Sequence, residues 1–379
     1  MGEKENKDNI EKKDKKGKKK SFGRRMLIFF VGIFAVIGLF SSFLCAINPI
    51  ISPNYFVLTS YFGVAFWPIF LANLLILLIL IVLKARKAIL YPILALIIAI
   101  PGFMKSYSIK KESTEEGNIK IMSYNIALFR DITDIQRDAQ SVKSELIETI
   151  KTQNPDILCL QECYFKQTQN VDEIAKFSEQ IGFKYYYGAS GISNYMFSKY
   201  PIKDDEFTQQ FNANKNSWVV KLIDAGGLGT FYVECVHLQS FNITKEEIEY
   251  LRDAKKYVEN SESMGKSLIL KLKEGFQKRT EDIRTIVGNM PENGIPIIIC
   301  GDFNDTPMSY TYHQMRNAGM KDAFLQVGSG LGKTYCGKLP YLRIDYFWHS
   351  DDIVPMTFTR LKKKVSDHYP IVMTFNVTH

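Results

Sequence analysis

The sequence lacks the patterns that mark several common classes of enzyme. It contains neither G-x-S-x-G, the nucleophile elbow of serine hydrolases, nor G-x-x-x-x-G-K-[ST], the phosphate-binding loop of many nucleotide hydrolases. Its six cysteines include no C-x-x-C pair, which argues against a zinc knuckle or a redox-active dithiol. We therefore predict buried thiols that pack as small apolar side chains and a reaction without a protein nucleophile.

Excess positive charge is missing from the C-terminal two-thirds of the chain. The net charge is +8, but residues 1–25 hold 11 Lys/Arg against 5 Asp/Glu, whereas residues 106–379 hold 33 Lys/Arg against 35 Asp/Glu. The C-terminal part consequently has no surplus of cations with which to collect nucleic-acid phosphates. The basicity belongs to the N-terminal end.

Charged residues are absent between Met26 and Leu83, which predicts a membrane region at 26–106. Residues 26–48 and 61–83 are each long enough to cross a bilayer, which takes about 20 residues. Residues 88–104 form a third, shorter candidate with two prolines. The apolar core of the first segment is too long for a cleaved signal peptide, and no A-x-A site follows it. We predict three spans, with two spans as the alternative.

The distribution of basic residues predicts the orientation of these spans. A basic head, residues 1–25, precedes the first span, and Lys84, Arg86 and Lys87 lie between the second and third. Under the positive-inside rule both segments are cytoplasmic. Three spans place residues 106–379 on the outer, periplasmic side of the cytoplasmic (inner) membrane, whereas two spans place them in the cytoplasm. The polar composition of the head predicts disorder and contact with anionic lipid.

Residues 107–117 are polar and predict a linker, after which short apolar runs alternate with helix-like stretches over 118–379. The runs predict strands at 119–124, 156–160, 195–198, 218–223, 230–236, 295–300 and 344–348. Several are continuously apolar, as expected for strands covered on both faces. Apolar residues at helical spacing predict helices near 142–150, 171–181, 248–258 and 269–287, the third behind a capping box at 244–247. This alternation predicts one mixed α/β domain.

Polar residues suited to binding a metal or a phosphate flank these predicted strands. Loops at one edge of a sheet gather side chains on a rigid frame, so we expect these residues to lie together. Carboxylate and amide oxygens suit a hard cation such as Mg²⁺, with Mn²⁺ as an alternative, and histidines suit proton transfer near neutral pH. Singly, each has an ordinary role as a turn, cap or core residue. The candidates are Asn125, Glu162, His237, Asp302, Asn304, Asp345, Asp367 and His368.

Seven blocks around these residues resemble, in sequence order, the signature blocks of the endonuclease/exonuclease/phosphatase superfamily. The blocks are I-M-S-Y-N, P-D-I-L-C-L-Q-E, F-S-K-Y-P-I, V-H-L-Q-S, I-C-G-D-F-N-D-T-P, R-I-D-Y and S-D-H-Y-P-I. The superfamily includes pancreatic-type deoxyribonucleases, abasic-site endonucleases, bacterial sphingomyelinases and inositol-polyphosphate 5-phosphatases. The resemblance covers residues 118–378 and implies a four-layer α/β/β/α sandwich. The layout of spans followed by this domain resembles bacterial membrane members of the Bacteroidetes type.

The resemblance implies metal-binding roles for three of the candidates. Glu162 corresponds to the Mg²⁺-binding glutamate of the superfamily. Asn125 corresponds to its neighbour on metal or phosphate, and Asp367 to a further metal or phosphate contact.

It also implies catalytic roles for the others. His368 corresponds to the histidine that acts as general base or activates the phosphate, and Asp345 to the carboxylate that orients it. Asp302 and Asn304 correspond to the pair that holds the attacking water and the scissile phosphate. His237 corresponds to the acid for the leaving group in the deoxyribonuclease and sphingomyelinase branches. Which histidine is the base stays open at this point.

Together these observations predict a membrane-anchored, Mg²⁺-dependent phosphoester hydrolase. At the position of V-H-L-Q-S, abasic-site endonucleases carry a block with a tyrosine instead. This difference disfavours a function in DNA repair. The expected partners are membrane lipid at the spans and a phosphoester substrate, either a lipid head group, a small phosphoester or nucleic acid; no protein partner is indicated. The alternatives are a catalytically inactive, membrane-displayed binding module of the same fold and a structural membrane protein that uses the domain as a spacer.

Overall fold

An N-terminal group of apolar helices precedes a long succession of strands and helices. The computed structural model describes residues 2–109, 115–129, 139–163, 165, 167–168, 171–188, 193–213, 216–252, 261–337, 342–363 and 365–378. The helices are α1 (Gly2–Ile47), α2 (Leu58–Val64), α3 (Phe66–Val82), α4 (Leu90–Ser106), α5 (Ala139–Gln153), α6 (Glu173–Ile181), α7 (Lys245–Arg252), α8 (Ser261–Gly288), α9 (Tyr310–Asn317) and α10 (Ala323–Val327), with short 3₁₀ turns at Ala127–Phe129 and Gly226–Leu228. The strands are β1 (Ser108–Ile109), β2 (Ile119–Asn125), β3 (Ile157–Gln161), β4 (Gln167–Thr168), β5 (Val171–Asp172), β6 (Tyr185–Tyr187), β7 (Tyr195–Ser198), β8 (Ile202–Lys203), β9 (Gln210–Ala213), β10 (Asn216–Asp224), β11 (Thr230–His237), β12 (Ile297–Asp302), β13 (Lys321–Asp322), β14 (Ser329–Gly330), β15 (Asp345–His349), β16 (Ile353–Arg360) and β17 (Ile371–Val377).

Two sheets form the centre of the C-terminal domain. One has the order β13-β15-β12-β11-β10-β8, with β9 beside β10, and the other has the order β16-β17-β2-β3-β7-β6. Successive side chains of a strand point to opposite faces. Ile121 of β2 and Val233 of β11 accordingly contribute to the core between the sheets. The next residues on each strand, Met122 and Tyr232, belong to the outer cores.

Helices cover the outer face of each sheet. Val142 of α5 and Ile174 of α6 pack in the outer core that contains Met122, and Ile283 of α8 and Tyr312 of α9 pack in the one that contains Tyr232. The central strands are therefore buried on both faces, which explains their continuously apolar runs. This arrangement confirms the predicted four-layer α/β/β/α sandwich.

The central strands extend beyond their apolar runs at the carboxyl end. β2 reaches Asn125, β3 reaches Gln161, β11 reaches His237 and β12 reaches Asp302, because the backbone ladder continues past the last apolar residue. Strand β16 was not predicted because Pro355 interrupts its pattern. It lies at the end of its sheet with a register shift after Pro355, a position at which proline is tolerated.

The capping box ahead of α7 forms as predicted. The backbone N–H of Thr244 donates to Glu247 Oε2 at 2.8 Å, and the N–H of Glu247 donates to Thr244 Oγ1 at 3.3 Å. The helix predicted from residue 171 begins later, at Glu173, because Val171 pairs in β5 with Thr168 of β4 instead.

The three predicted spans correspond to three different kinds of helix. Within the described residues, Phe22–Ile47 is one stretch that is long and apolar enough to cross a membrane. Leu58–Val64 and Phe66–Val82 satisfy the same test only together, and they are bent by 71° where Ala65 separates them. α4, with 17 residues, is shorter. The long N-terminal helix is compatible with membrane anchoring.

The head and the linker differ from their sequence-based expectations. The backbone of α1 is helical from Gly2, whereas the composition predicted disorder; lysine and glutamate are strong helix formers and extend the apolar helix that follows. Within the predicted linker, Ser108 and Ile109 pair with Gly330 and Ser329. The linker residues 110–114 lie outside the described part of the chain.

The N-terminal helices pack directly on the C-terminal domain at Met308. Asn48 Nδ2 donates to the carbonyl oxygen of Met308 at 2.6 Å, and the Met308 side chain belongs to a buried cluster with Phe66 and Ala99. At Gly102, a Cβ would lie 2.6 Å from the Met308 sulfur. A glycine there allows the close approach of α4 to the domain.

Candidate active site

The candidate residues meet at the carboxyl ends of two parallel strand pairs. In one sheet Asn125 of β2 lies opposite Gln161 of β3, the residue before Glu162. In the other sheet His237 of β11 lies opposite Asp302 of β12, which also lies opposite Asp345 at the start of β15. The register of the two sheets therefore brings these side chains to a common edge.

Asn125 connects the two sheets across this edge. Its Nδ2 donates to Glu162 Oε1 at 3.1 Å and to Asp302 Oδ2 at 3.0 Å, and its Oδ1 accepts the backbone N–H of Ala127 at 3.0 Å. The amide oxygen is thus engaged by the backbone, and Asn125 contacts the two carboxylates as a donor. In this arrangement it positions Glu162 and Asp302.

His368 and Asp345 form a hydrogen-bonded pair. His368 Nδ1 lies 3.0 Å from Asp345 Oδ2 and 3.1 Å from Oδ1, while Nε2 lies 3.5 Å from Asp302 Oδ2. Burial lowers the pKa of His368, but the negative charges of Asp345 and Asp302 outweigh it and raise that pKa well above its ordinary value. Burial raises the pKa of Asp302 to about 6. The pair therefore presents a charged imidazole edge to Asp302.

His237 is buried beside the carboxylates with both ring nitrogens unsatisfied. Within the described residues neither nitrogen has a hydrogen-bond partner. Nε2 lies 3.4 Å from Glu162 Oε1 and 3.9 Å from Asp302 Oδ2. A buried imidazole without a hydrogen bond is unusual and calls for a ligand or water. This ring is consequently available to a substrate at the site.

Two site residues have left-handed backbone conformations that are rare outside glycine. Glu162 has φ = 48° and Asn304 has φ = 52°. The turn at Asn304 is fixed by its own N–H, which donates to Asp302 Oδ1 at 2.8 Å, and by its Nδ2, which donates to the carbonyl of Leu238 at 2.9 Å. Such conformations cluster at functional sites. Three positions before Asn304, Gly301 has φ = 137°, and a Cβ there would collide with the carbonyl oxygen of Val236.

Asp367 lies at the same edge, on the loop before β17. Burial raises the pKa of its carboxyl group, and the negative charge of Glu162 raises it further, against the opposing effect of His368. Its carbonyl oxygen accepts the N–H of Cys336 at 2.7 Å. The eight predicted residues are thus all placed around this edge.

Two further residues, which were not among the candidates from the sequence, support the site. Ser366 Oγ donates to the carbonyl of Asn125 at 2.7 Å and accepts the N–H of His368 at 3.1 Å, so it ties the histidine loop to β2. The ring of Tyr335 packs against the His368 ring with centroids 5.4 Å apart. Ser366 stands inside the S-D-H block, which was a usable signal, whereas Tyr335 lies in a stretch with no pattern.

The donor set fits a hard divalent cation. In the described part of the chain, ligand atoms of Asp302, Asp345 and His368 lie within 4.8 Å of one another. The Nδ1 of His368 and the carboxylate of Asp345, however, are already hydrogen-bonded to each other. Glu162 and Asp367 add carboxylates at the same edge, and oxygen-rich sets of this kind suit Mg²⁺. Of the three residues predicted for the metal, Glu162 and Asp367 offer carboxylate oxygens, whereas the amide oxygen of Asn125 accepts the N–H of Ala127.

Comparisons with known proteins give a family match and a set of similar solved structures. The model of the family described as "Endonuclease/Exonuclease/phosphatase family" matches residues 122–368, which include every candidate residue. No curated protein matches the chain. Similar solved structures include an endonuclease/exonuclease/phosphatase from Beutenbergia cavernae DSM 12333 (16% identity, 70% of this chain and 72% of that chain, TM-score 0.49), a family protein from Bacteroides thetaiotaomicron (15% identity, 70% and 100%, TM-score 0.48) and the human Nocturnin catalytic domain with bound sulfate anion (17% identity, 69% and 94%, TM-score 0.47).

Proposed function

Because the chain belongs to the endonuclease/exonuclease/phosphatase family, whose members typically hydrolyse phosphoester bonds, we propose that it is a membrane-anchored, Mg²⁺-dependent phosphodiesterase. Its substrate is either a phospholipid head group, a small phosphoester or nucleic acid. The observation that carries the proposal is the hydrogen-bonded unit at the strand ends. There Asn125 links Glu162 to Asp302, and His368 lies between Asp302 and Asp345.

The residues at this edge of the sheets have distinct roles in the attack of water on a phosphoester. Glu162 and Asp367 hold the cation, which on binding supplies charge neutralisation at the phosphoryl oxygens. Asp302 and Asn304 orient the attacking water, and Asp302 accepts its proton. His368, held by Asp345, donates from Nε2 to a phosphoryl oxygen. His237, whose ring nitrogens are unsatisfied, protonates the leaving oxygen.

A substrate panel on the purified full chain in detergent tests this proposal. The panel comprises plasmid DNA, RNA, sphingomyelin, phosphoinositides and a chromogenic phosphodiester, each with Mg²⁺ and with EDTA. We expect hydrolysis of at least one substrate, its loss in EDTA and its return when Mg²⁺ is added in excess. Asp302→Asn, prepared in parallel, controls for contaminating hydrolases. A folded protein that hydrolyses none of them supports the inactive binding module instead.

We also propose that the chain crosses the cytoplasmic membrane three times and that residues 118–379 face the periplasm. The support is the charge distribution: the basic head precedes the first helix, and Lys84, Arg86 and Lys87 lie between α3 and α4. The bent pair α2–α3 then forms one span, and α4 forms another.

Reporter fusions at the C-terminus test this topology. We expect an alkaline-phosphatase fusion to be active and a fluorescent-protein fusion that folds only in the cytoplasm to be dark. The same fusions placed after Lys87 provide the matched control and are expected to give the reverse result. A fluorescent C-terminal fusion with a silent phosphatase fusion would mean that α4 does not cross, and the substrate would then be sought in the cytoplasm.

A further inference from the structure

A cavity of about 380 Å³ separates part of the N-terminal helices from the C-terminal domain, a volume within the range of roughly 300–1,000 Å³ typical of small-molecule sites. We call it the junction groove. On the membrane side it is lined by residues around the bend at Ala65, including Val64 and Trp67. On the domain side it is lined by Pro307 and Leu342, among others. Both walls are therefore largely apolar.

The domain wall of the junction groove is built from the segments that carry the candidate active site. The carbonyl of Leu342 accepts the N–H of Thr334 at 3.0 Å, and Thr334 Oγ1 accepts the N–H of Asp345 at 3.1 Å. Thr306, another lining residue, follows Asn304 by two positions. A molecule in the groove is consequently held against the same two segments that position Asp345 and Asn304.

Two polar atoms among the lining residues are buried without a partner. Among the described residues, Thr306 Oγ1 and Arg343 Nε have no hydrogen-bond partner. Arg343 is only 3% exposed, and its Nη1 and Nη2 are engaged by Asp322 Oδ2 at 2.7 Å and by the carbonyl of Lys105 at 2.8 Å. A buried N–H donor without an acceptor is destabilising. Both atoms are buried behind the groove surface, so a ligand meets mainly the apolar walls, which match an apolar chain.

Exposed apolar side chains border the junction groove on both of its walls. The helix of its membrane wall exposes Leu71 (51%) and Leu75 (58%). On the domain, α8 exposes Ile269 (56%) and Leu270 (63%) beside Tyr61, whose hydroxyl donates to the carbonyl of Ile269 at 2.8 Å. Clustered exposed apolar side chains mark a contact with membrane or partner. Here they adjoin the helices that we propose to span the membrane, and on that topology bilayer lipid is the neighbour of the groove.

We propose that the junction groove binds one acyl chain of a membrane phosphoglyceride. The phosphoester of the same lipid is then presented to the candidate active site. The identity of the substrate rests on the proposed hydrolase function, whereas binding of the acyl chain does not. The groove thus selects phosphoesters that carry a long apolar tail.

Photo-crosslinking tests the binding independently of activity. The full chain in detergent micelles is labelled with a phosphatidylethanolamine that carries a diazirine on one acyl chain, and the adducts are mapped by peptide mass spectrometry. We expect adducts on the domain wall at Met308, Leu331 or Leu342, which face the groove rather than the lipid-exposed side of a helix. Val64→Trp, which fills the groove, is expected to reduce them about tenfold. Leu331→Trp fills it from the opposite wall, in case one variant does not fold.

Leu71→Trp is the matched control, because it adds the same bulk on an exposed helix surface outside the groove. We expect it to leave the domain-wall adducts unchanged. If adducts form only on outward-facing residues of α1 and α3, and if both groove-filling variants give the wild-type pattern, the proposal is overturned.

A kinetic comparison links the groove to the substrate. For the wild type we expect kcat/KM to be higher for a long-chain phosphoglyceride than for its short-chain analogue. In the groove-filling variants we expect the ratio of these two kcat/KM values, long chain over short chain, to fall about tenfold. An unchanged ratio would refute the role of the groove in substrate selection. Domain-wall adducts in a protein that hydrolyses nothing would instead contradict the hydrolase function and leave the acyl-binding site established.

Discussion

His368→Ala is expected to lower kcat by about 10²–10³-fold, the usual cost of removing one hydrogen-bond donor to the charge that develops on the substrate oxygen. The substitution removes the donor whose Nε2 lies 3.5 Å from Asp302 Oδ2. Asp345→Asn is expected to lower kcat as well, because a neutral amide removes the negative charge that raises the pKa of His368 and favours its charged form. Turnover of the chromogenic diester under saturating Mg²⁺ is the measurement.

The double variant separates a coupled pair from two independent residues. Since Asp345 acts through His368, His368→Ala combined with Asp345→Asn is expected to cost little more than His368→Ala alone; residues that act as a unit are non-additive. Asp352→Asn, an exposed carboxylate outside the site, is the control and is expected to retain wild-type turnover. Losses that multiply in the double variant would show that the 3.0 Å contact has no catalytic meaning.

Glu162→Gln is expected to raise the Mg²⁺ concentration needed for half-maximal activity at least tenfold, with partial recovery of the rate at high Mg²⁺. The substitution keeps the size of the side chain and the contact with Asn125 but removes one anionic oxygen ligand. Even groups that only orient metal ligands are worth about 10–100-fold in metal affinity. Activity titrated with Mg²⁺ at fixed substrate gives the shift directly.

The matched control for this titration is Glu179→Gln, an exposed glutamate on α6. It is expected to show the wild-type Mg²⁺ dependence. A Glu162→Gln variant whose activity falls without any change in its Mg²⁺ dependence would remove this residue from the metal site and assign the cation to the carboxylates of Asp302 and Asp367.

The sandwich could be predicted from the sequence, and the polar residues that meet at one sheet edge could be singled out, because both depend on local patterns; their roles stay a prediction. Strands buried on two faces give continuous apolar runs, and the polar residues at their ends stand out against them, as Asn125 and His237 do. The family that the seven blocks indicated is confirmed by the match over residues 122–368. The edge strand β16 was not predicted because Pro355 interrupts its pattern. Proline is incompatible with a central strand but is tolerated at the edge of a sheet.

What the sequence did not reveal depends on contacts between distant residues. Asn194, directly before β7, donates from Nδ2 to the carbonyl of Cys235 at 3.1 Å and so joins β11 to the loop before β7. The carbonyl of Asn125 receives a bond from Ser366, which is 241 residues away. No periodicity in one segment reports on such pairs. The junction groove likewise exists only because residues near 64 and 307 meet.

The contact between Asn48 and Met308 has a consequence for how the protein is made. During synthesis the N-terminal helices emerge and can insert before the ribosome reaches residue 308, so the surface that receives this loop is present when the loop folds. A chain whose helices fail to insert, or a fragment that begins at residue 107, leaves the apolar Met308 side chain and its carbonyl without the partners they have here. On the proposed topology, membrane insertion would therefore precede and support the folding of the loop around Met308.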